Sequence, residues 1–193
     1  LGLIAKKNEE YLSAIELISQ AVSINPNSSS AYYNLGNTLQ GLNRIKEAIA
    51  CYDKAIAIKP DYELYNVRAK AHYELNQLKE CLESYDESIK LKPDDFVAYC
   101  NRGLALVGLK KTKEGIASYD KAIQINTNFI DAIYNRGLAL RILRENKESI
   151  KAFKTVIQIE PNHLKSLYEL ALFYRDLKEY NLVKSAYENA SAV

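Results

Sequence analysis

A spacing of 34 residues recurs along this chain and constrains its fold more than any other feature. Gly103 and Gly137 are 34 apart, as are Tyr119, Phe153 and Tyr187, and as are Pro26 and Pro60. A fixed period between about 20 and 50 residues marks a solenoid, in which each repeat buries its apolar face only against its neighbours. Such an architecture presents surfaces rather than enclosed catalytic clefts, so the period favours binding over chemistry.

Numbering each repeat 1 to 34, with Gly36 and Gly137 at position 8, lays out the pattern. Position 8 reads Gly2, Gly36, Ala69, Gly103, Gly137, Ala171; position 20 reads Ala14, Ala48, Cys81, Gly115, Ser149, Val183. Position 24 reads Ile18, Tyr52, Tyr85, Tyr119, Phe153, Tyr187; position 27 reads Ala21, Ala55, Ser88, Ala122, Val156, Ala190. Small residues at 8, 20 and 27 let two antiparallel helices approach closely, and the ring at 24 fills the space between them. A leucine at position 14 (Leu42, Leu75, Leu109, Leu143, Leu177) closes the first helix of each pair. Apolar spacings of three and four within each half specify helix, not strand.

The punctuation agrees. Pro26-Asn27, Pro60-Asp61, Pro93-Asp94 and Pro161-Asn162 each stop one helix and offer an Asx cap for the next, and Thr127-Asn128 keeps the cap without the proline. First helices are expected near 29–42, 63–75, 96–109, 130–143 and 164–177, and second helices near 9–24, 45–58, 78–91, 112–125, 146–159 and 180–192. One residue is missing between Pro60 and Ala69, so the third repeat is expected to stack differently. Gly115 stands inside a helix at a cost of about 1 kcal/mol relative to Ala.

The series Tyr32-Leu35-Gly36-Leu39-Ala48-Tyr52-Ala55-Pro60 resembles the tetratricopeptide repeat pattern, and similar series span the whole chain. The resemblance implies an all-α fold, an α-α superhelix of antiparallel hairpins with about five full repeats and a leading fragment. Residues 1–193 then form one solenoid: a partial repeat 1–28, followed by 29–61, 62–95, 96–129, 130–163 and 164–193.

Differences between the repeats carry further expectations. Position 7 is Arg68, Arg102 and Arg136 in the third to fifth repeats, and position 25 is Asp53, Asp86 and Asp120 in the repeat before each. Arginine appears only where the preceding repeat carries aspartate, so Arg68–Asp53, Arg102–Asp86 and Arg136–Asp120 are expected to pair across the stacking interface. Independent solvated charges are the alternative. Positions 21 and 28 are apolar (Ile49, Ile56, Ile116, Ile123, Ile150, Ile157) until Lys184 and Ser191, which is the wettable outer face a last repeat needs. At the other end, Leu1-Gly2 fits positions 7 and 8, and the sequence contains no Met, so it is read as a processed or cut product.

Composition excludes several classes. A net charge of +2 favours neither nucleic acid nor another polyanion, and no apolar run is long enough to span a bilayer. Cys51, Cys81 and Cys100 match no zinc spacing and read as small core or groove residues in a reducing, cytoplasmic setting. His72 and His163 have no Glu or Cys at ligand spacing. No phosphate loop, metal set, nucleophile–base pair or cofactor motif is present, so this segment is read as non-catalytic.

The surface expected to function is the concave side lined by first helices, at positions 2, 5, 6, 9, 12 and 13. Position 6 gives Asn34, Asn101 and Asn135, interrupted by Val67 and ending in Glu169. An asparagine amide both donates to and accepts from a peptide backbone, so it holds an extended chain without selecting its side chains. Around these stand Tyr33, Asn37, Lys70, Leu104, Tyr134, Leu138, Arg141, Tyr168 and Arg175, with Asn66, Cys100, Val107 and Leu172 between them. The alternative is that the amides satisfy neighbouring helix ends and the leucines are core. The asparagines resemble the ladder of O-linked N-acetylglucosamine transferase repeat superhelices, which implies backbone contacts from all three. The Lys/Asn/Arg clamp of chaperone-tail-binding repeats is not reproduced, because Tyr33 and Val67 occupy two of its places.

Three functions remain open on the sequence: a scaffold binding an extended peptide or partner helix, a substrate-recruiting arm of a larger enzyme such as a glycosyltransferase, and self-association through the N-terminal end.

Overall fold

The fold is that of a computed structural model, which describes residues 2–176, with side chains over residues 10–175. Ten helices and no strand occur among the described residues. Two compact units divide the chain, Leu1–Pro93 and Asp94–Val193. The N-terminal unit holds α1 (Gly2–Ile24), α2 (Ser29–Gly41), α3 (Ile45–Ile58), α4 (Tyr62–Glu74) and α5 (Leu78–Leu91). The C-terminal unit holds α6 (Phe96–Gly108), α7 (Thr112–Ile125), α8 (Ile130–Ile142), α9 (Asn146–Ile159) and α10 (Leu164–Asp176).

From α2 onward the sequence expectation holds to within two residues at every described helix end. Among the described residues, the rings at position 24 are almost wholly buried: Tyr52 0%, Tyr85 2%, Tyr119 1% and Phe153 0% exposed. Three of them lie directly on a glycine of the paired helix. A Cβ on Gly36 would come 2.4 Å from the Tyr52 ring, one on Gly103 2.5 Å from Tyr119, and one on Gly137 2.7 Å from Phe153. Gly115 has its own reason, since a Cβ there would stand 2.7 Å from Val107 Cγ2 on α6. Position 21 and 28 residues pack forward as expected: Ile56 with Leu64, and Ile150 and Ile157 with Leu170 and Phe173. Lys184 and Ser191 lie outside the described residues.

The first helices α2, α4, α6 and α8 end the same way. Asn43, Asn76, Lys110 and Arg144 take φ values of 61°, 57°, 63° and 60°, one residue after the capping leucine. Asn43 N–H donates to Gln40 O and Arg44 N–H to Leu39 O, the two-bond Schellman closure, and the other three turns repeat it. A left-handed residue with a side chain is strained by about 1 kcal/mol, which Asn tolerates better than Lys or Arg. Lys110→Gly is therefore expected to stabilise the chain by about 0.5–1 kcal/mol, read as a higher urea midpoint. A lower midpoint would show that the Lys110 side chain supports the turn.

The structure corrects the sequence reading in two places. The leading fragment is not a hairpin: α1 runs unbroken from Gly2 to Ile24 instead of starting at residue 9. Asn8 replaces the closing leucine and Glu9 the left-handed residue, so the signals that end every other first helix are missing. The caps also shift. Only Asp61, directly after Pro60, caps as expected, accepting from Glu63 N–H at 2.9 Å. Elsewhere the cap falls one residue later: Ser28 accepts from Ala31 N–H, and Asp95 accepts from Val97 and Ala98 N–H. Phe129 occupies the α8 cap without a side-chain bond and packs edge-on against Phe96 at 4.9 Å. At α10, His163 Nδ1 accepts from Ser166 N–H at 3.2 Å. The residue missing before Ala69 is thus removed from the turn, and α4 keeps the same seven-residue distance to position 8 as its sister helices.

Candidate functional site

Ion pairing between repeats fixes how successive first helices sit. Arg68 Nη1 lies 3.0 Å from Asp53 Oδ1, and Arg136 Nε lies 2.5 Å from Asp120 Oδ1, as the repeat comparison anticipates. The third pair, Arg102–Asp86, would join residues of different units and stays an expectation. Arg68 also donates from Nε to Ser84 Oγ at 3.0 Å, and Arg102 from Nη1 to Ser118 Oγ at 2.7 Å. Arg68 therefore ties together α3, α4 and α5. Both aspartates are half exposed, so each bridge contributes at most about 1 kcal/mol, and its role is register.

Positions 2, 5, 6, 9 and 12 of the first helices differ in exposure and in what engages them. On the N-terminal unit, Asn34, Asn37 and Lys70 are exposed, and Tyr33 is half-buried beside the Leu39–Tyr52 cluster. Asn37 is already engaged: the Tyr52 hydroxyl lies 2.8 Å from Asn37 Oδ1 and 2.8 Å from Gln40 Oε1. Gln40 Nε2 in turn donates to Glu74 at 2.7 Å, linking α2 to α4. Among the described residues, neither the Asn34 nor the Asn101 side-chain amide has a hydrogen-bond partner.

On the C-terminal unit, Asn101, Leu104, Tyr134, Asn135 and Leu138 are half-buried, whereas Arg141, Tyr168 and Arg175 are exposed. Asn135 Nδ2 points at the buried Cys100 Sγ at 3.9 Å, a weak donation across α6 and α8. Tyr134 is held between Phe153, at 5.6 Å, and His163, at 5.3 Å. Arg141 donates to Glu169, whose residue is only 8% exposed. The asparagine series thus ends in an internal ion pair, and the Arg141 charge is largely balanced by its own chain. The sequence signal for that pairing was present, since Glu169 breaks the position-6 series where arginine holds position 12 of the preceding repeat.

A recess of about 450 Å³ opens where α2, α3 and α4 meet, lined by Ser29, Tyr33, Ile58, Lys59, Glu63 and Leu64 among others. Of the residues singled out from the sequence, it includes Tyr33. No group of three His, Cys, Asp or Glu able to hold a metal ion occurs among the described residues. No described helix is long and apolar enough to cross a membrane.

The three thiols are buried, and burial pushes Cys81 up to about 12 and Cys100 up to about 11 from the ordinary 9.0. Each is therefore protonated in the folded chain at neutral pH. Because the folded values exceed the unfolded ones, the thiols cost no stability below about pH 9 and destabilise the fold as pH rises from there toward the folded values. A thiol reagent at pH 8 is expected to find no reactive cysteine before unfolding and three after it. Rapid labelling of native protein would contradict the burial.

Three family models with the description tetratricopeptide repeat, or TPR repeat, match the chain, over residues 29–62, 69–110, and 97–129 with 130–163. The peroxisomal targeting signal receptor of Kluyveromyces lactis is 39% identical over 62 residues, which is 32% of this chain and 11% of that receptor. The Candida glabrata receptor is 36% identical over the same length, 10% of its own. The matched stretch therefore spans about a tenth of the length of these relatives. A solved tetratricopeptide repeat protein from Parabacteroides merdae covers 99% of the chain and 78% of its own at 20% identity, with a TM-score of 0.81. YrrB, described as having an unusual peptide-binding site, covers 91% of each chain at 20% identity, with a TM-score of 0.73. At these identities the two solved structures establish the fold alone.

Proposed function

Because this chain belongs to the tetratricopeptide repeat family, we propose that it is a non-enzymatic scaffold binding an extended peptide or partner helix along its first-helix faces. The observation that carries this reading is the pair of amides at Asn34 and Asn101, which have no partner among the described residues. An amide left without a protein partner is a ready donor and acceptor for a ligand backbone. Asn135 adds a third, committing only one weak donation to Cys100. Tyr33 supplies apolar contact on the N-terminal unit, Leu104, Tyr134, Leu138 and Tyr168 supply it on the C-terminal unit, and Lys70 and Arg175 supply charge. In this reading the three asparagines act as a backbone-holding ladder of the kind expected from their sequence positions, and ligand side chains are selected by the rings and cations. Two of the relatives are consistent with it in kind: one is a receptor for a targeting signal, and one has a peptide-binding site.

The test starts from a random twelve-residue peptide library panned against the whole chain, followed by calorimetry on the peptides recovered. Asn101→Ala combined with Asn135→Ala is expected to weaken binding at least about tenfold, since each lost hydrogen bond is worth about 1 kcal/mol. Unchanged affinity would remove the asparagines from the site, and a library yielding no binder would remove the groove.

A further inference from the structure

Two contacts between successive first helices are closed by a ring on the residue directly before the later helix. Phe129, before α8, packs edge-on against Phe96, the first residue of α6, with centroids 4.9 Å apart. His163, before α10, lies 5.3 Å from the ring of Tyr134, the fifth residue of α8. The matching residue before α4 is Asp61, which turns its carboxylate onto its own helix and accepts from Glu63 N–H at 2.9 Å. On α2, Ser29 stands in the place of Phe96, and Tyr33 in the place of Tyr134. Among the described residues no ring packs on Tyr33. The recess of about 450 Å³ opens beside it instead, with Leu64 and the 37% exposed Ile58 as apolar walls.

A second comparison, at another wall of the recess, points to the same missing group. Lys92 Nζ stands 4.3 Å from the ring centroid of Tyr62, the first residue of α4. One repeat earlier the same two positions hold Lys59 and Ser29, so the ammonium is kept and the ring beneath it is gone. Lys59 lines the recess and has neither an ion pair nor a ring partner among the described residues.

We propose that this recess takes one aromatic side chain of a bound peptide, held between the Tyr33 ring and the Lys59 ammonium. The inference rests on the peptide-binding reading for the source of the ring, and adds to it the residue type that the N-terminal unit selects. Tyr33 and Leu64 are larger than Cys100 and Ala132 at the same positions of the C-terminal unit, so the floor is raised and one ring fits where that unit places two. The volume lies within the range of small-ligand sites. A ring on Tyr33 gains an aromatic contact beyond its burial, and a cation over its face adds to that. Both terms vanish for an aliphatic side chain of equal size, which is how such a recess makes an aromatic residue the anchor of a ligand.

The labelled whole chain, titrated with N-acetyl-phenylalaninamide and with its saturated analogue N-acetyl-cyclohexylalaninamide, tests this by NMR. The analogue keeps the shape and the apolar surface but has no π-face. The aromatic probe is expected to move the amide signals of Ser30, Tyr33, Lys59 and Glu63 saturably, and to bind at least about threefold more tightly than the analogue. Tyr33→Leu and the exposed Lys59→Gln, each checked for folding by circular dichroism, are expected to weaken the aromatic probe at least about twofold and the analogue less. Asn101→Ala combined with Asn135→Ala, on the other unit, is expected to leave the probe unaffected. Probe binding in a chain that recovers no library peptide therefore keeps the ring site and removes the groove, and peptide binding without probe binding removes the ring site alone. Equal or tighter binding of the saturated analogue overturns the proposal, as do unmoved signals around the recess or an unchanged preference for the aromatic probe in either variant.

Discussion

Phe153→Ala is expected to cost about 3–5 kcal/mol, the largest effect of any single truncation in the C-terminal unit. The ring is 0% exposed, rests on Gly137, and contacts Tyr134 at 5.6 Å and Phe173 at 6.4 Å. Its loss opens a cavity bounded by three helices, α8, α9 and α10. The glycine beneath has no side chain to refill it. Stacked repeats depend on their neighbours, so α8 and α10 are expected to loosen together. Urea denaturation followed by circular dichroism gives the measure. A loss below about 1.5 kcal/mol would mean that the neighbours collapse into the space and that the ring does not hold the hairpin.

Gly103 gives the second large effect, and a graded one. A Cβ there would lie 2.5 Å from Tyr119 Cε1 and 2.8 Å from Cδ1, and Tyr119 is only 1% exposed. The same position is alanine at Ala69, where Tyr85 is still accommodated at 2% exposure. Gly103→Ala is accordingly expected to be near neutral, the ring shift being offset by about 1 kcal/mol of helix propensity. Gly103→Val adds two further methyls against a ring with no free side, at about 2–3 kcal/mol. Equal urea midpoints for the two variants would show that the close approach of α6 and α7 is not what the glycine secures.

Much of this structure was legible because repetition lets one chain serve as its own comparison set. Small residues at 8, 20 and 27, the ring at 24 and the leucine at 14 recur too often for any other arrangement, and helix ends follow from them. The Arg68–Asp53 and Arg136–Asp120 pairs were equally legible, since residue types in adjacent repeats change together. What escaped is set by local competition. Ser28 and Asp95 outbid the Asx residues beside the prolines because they stand one residue nearer the first helical N–H groups. Lys110 and Arg144 adopt a left-handed conformation that their side chains oppose, imposed by the Schellman closure. Ser84 and Ser118 as arginine partners were hidden because their position is otherwise small and apolar, with Cys51 and Ala152. The continuity of α1 could have been read from the absence of a closing leucine at Asn8.

The candidate face was less legible than the fold. Sequence spacing places Asn37 and Arg141 on it, but says nothing of the Tyr52 hydroxyl that engages Asn37, and signals the Glu169 carboxylate that engages Arg141 only through the break in the position-6 series. Of the residues named, Asn34, Asn101 and Asn135 keep the hydrogen-bonding capacity that recognition of a peptide backbone requires.

The most direct test of the account is an amide and side-chain NMR titration of the labelled chain with a panned peptide. The account predicts that the side-chain amides of Asn101 and Asn135 shift and gain protection, with neighbouring changes at Tyr134, Leu138 and Tyr168. Perturbations confined to second helices α7 and α9, or to the turns at Lys110 and Arg144, would contradict it.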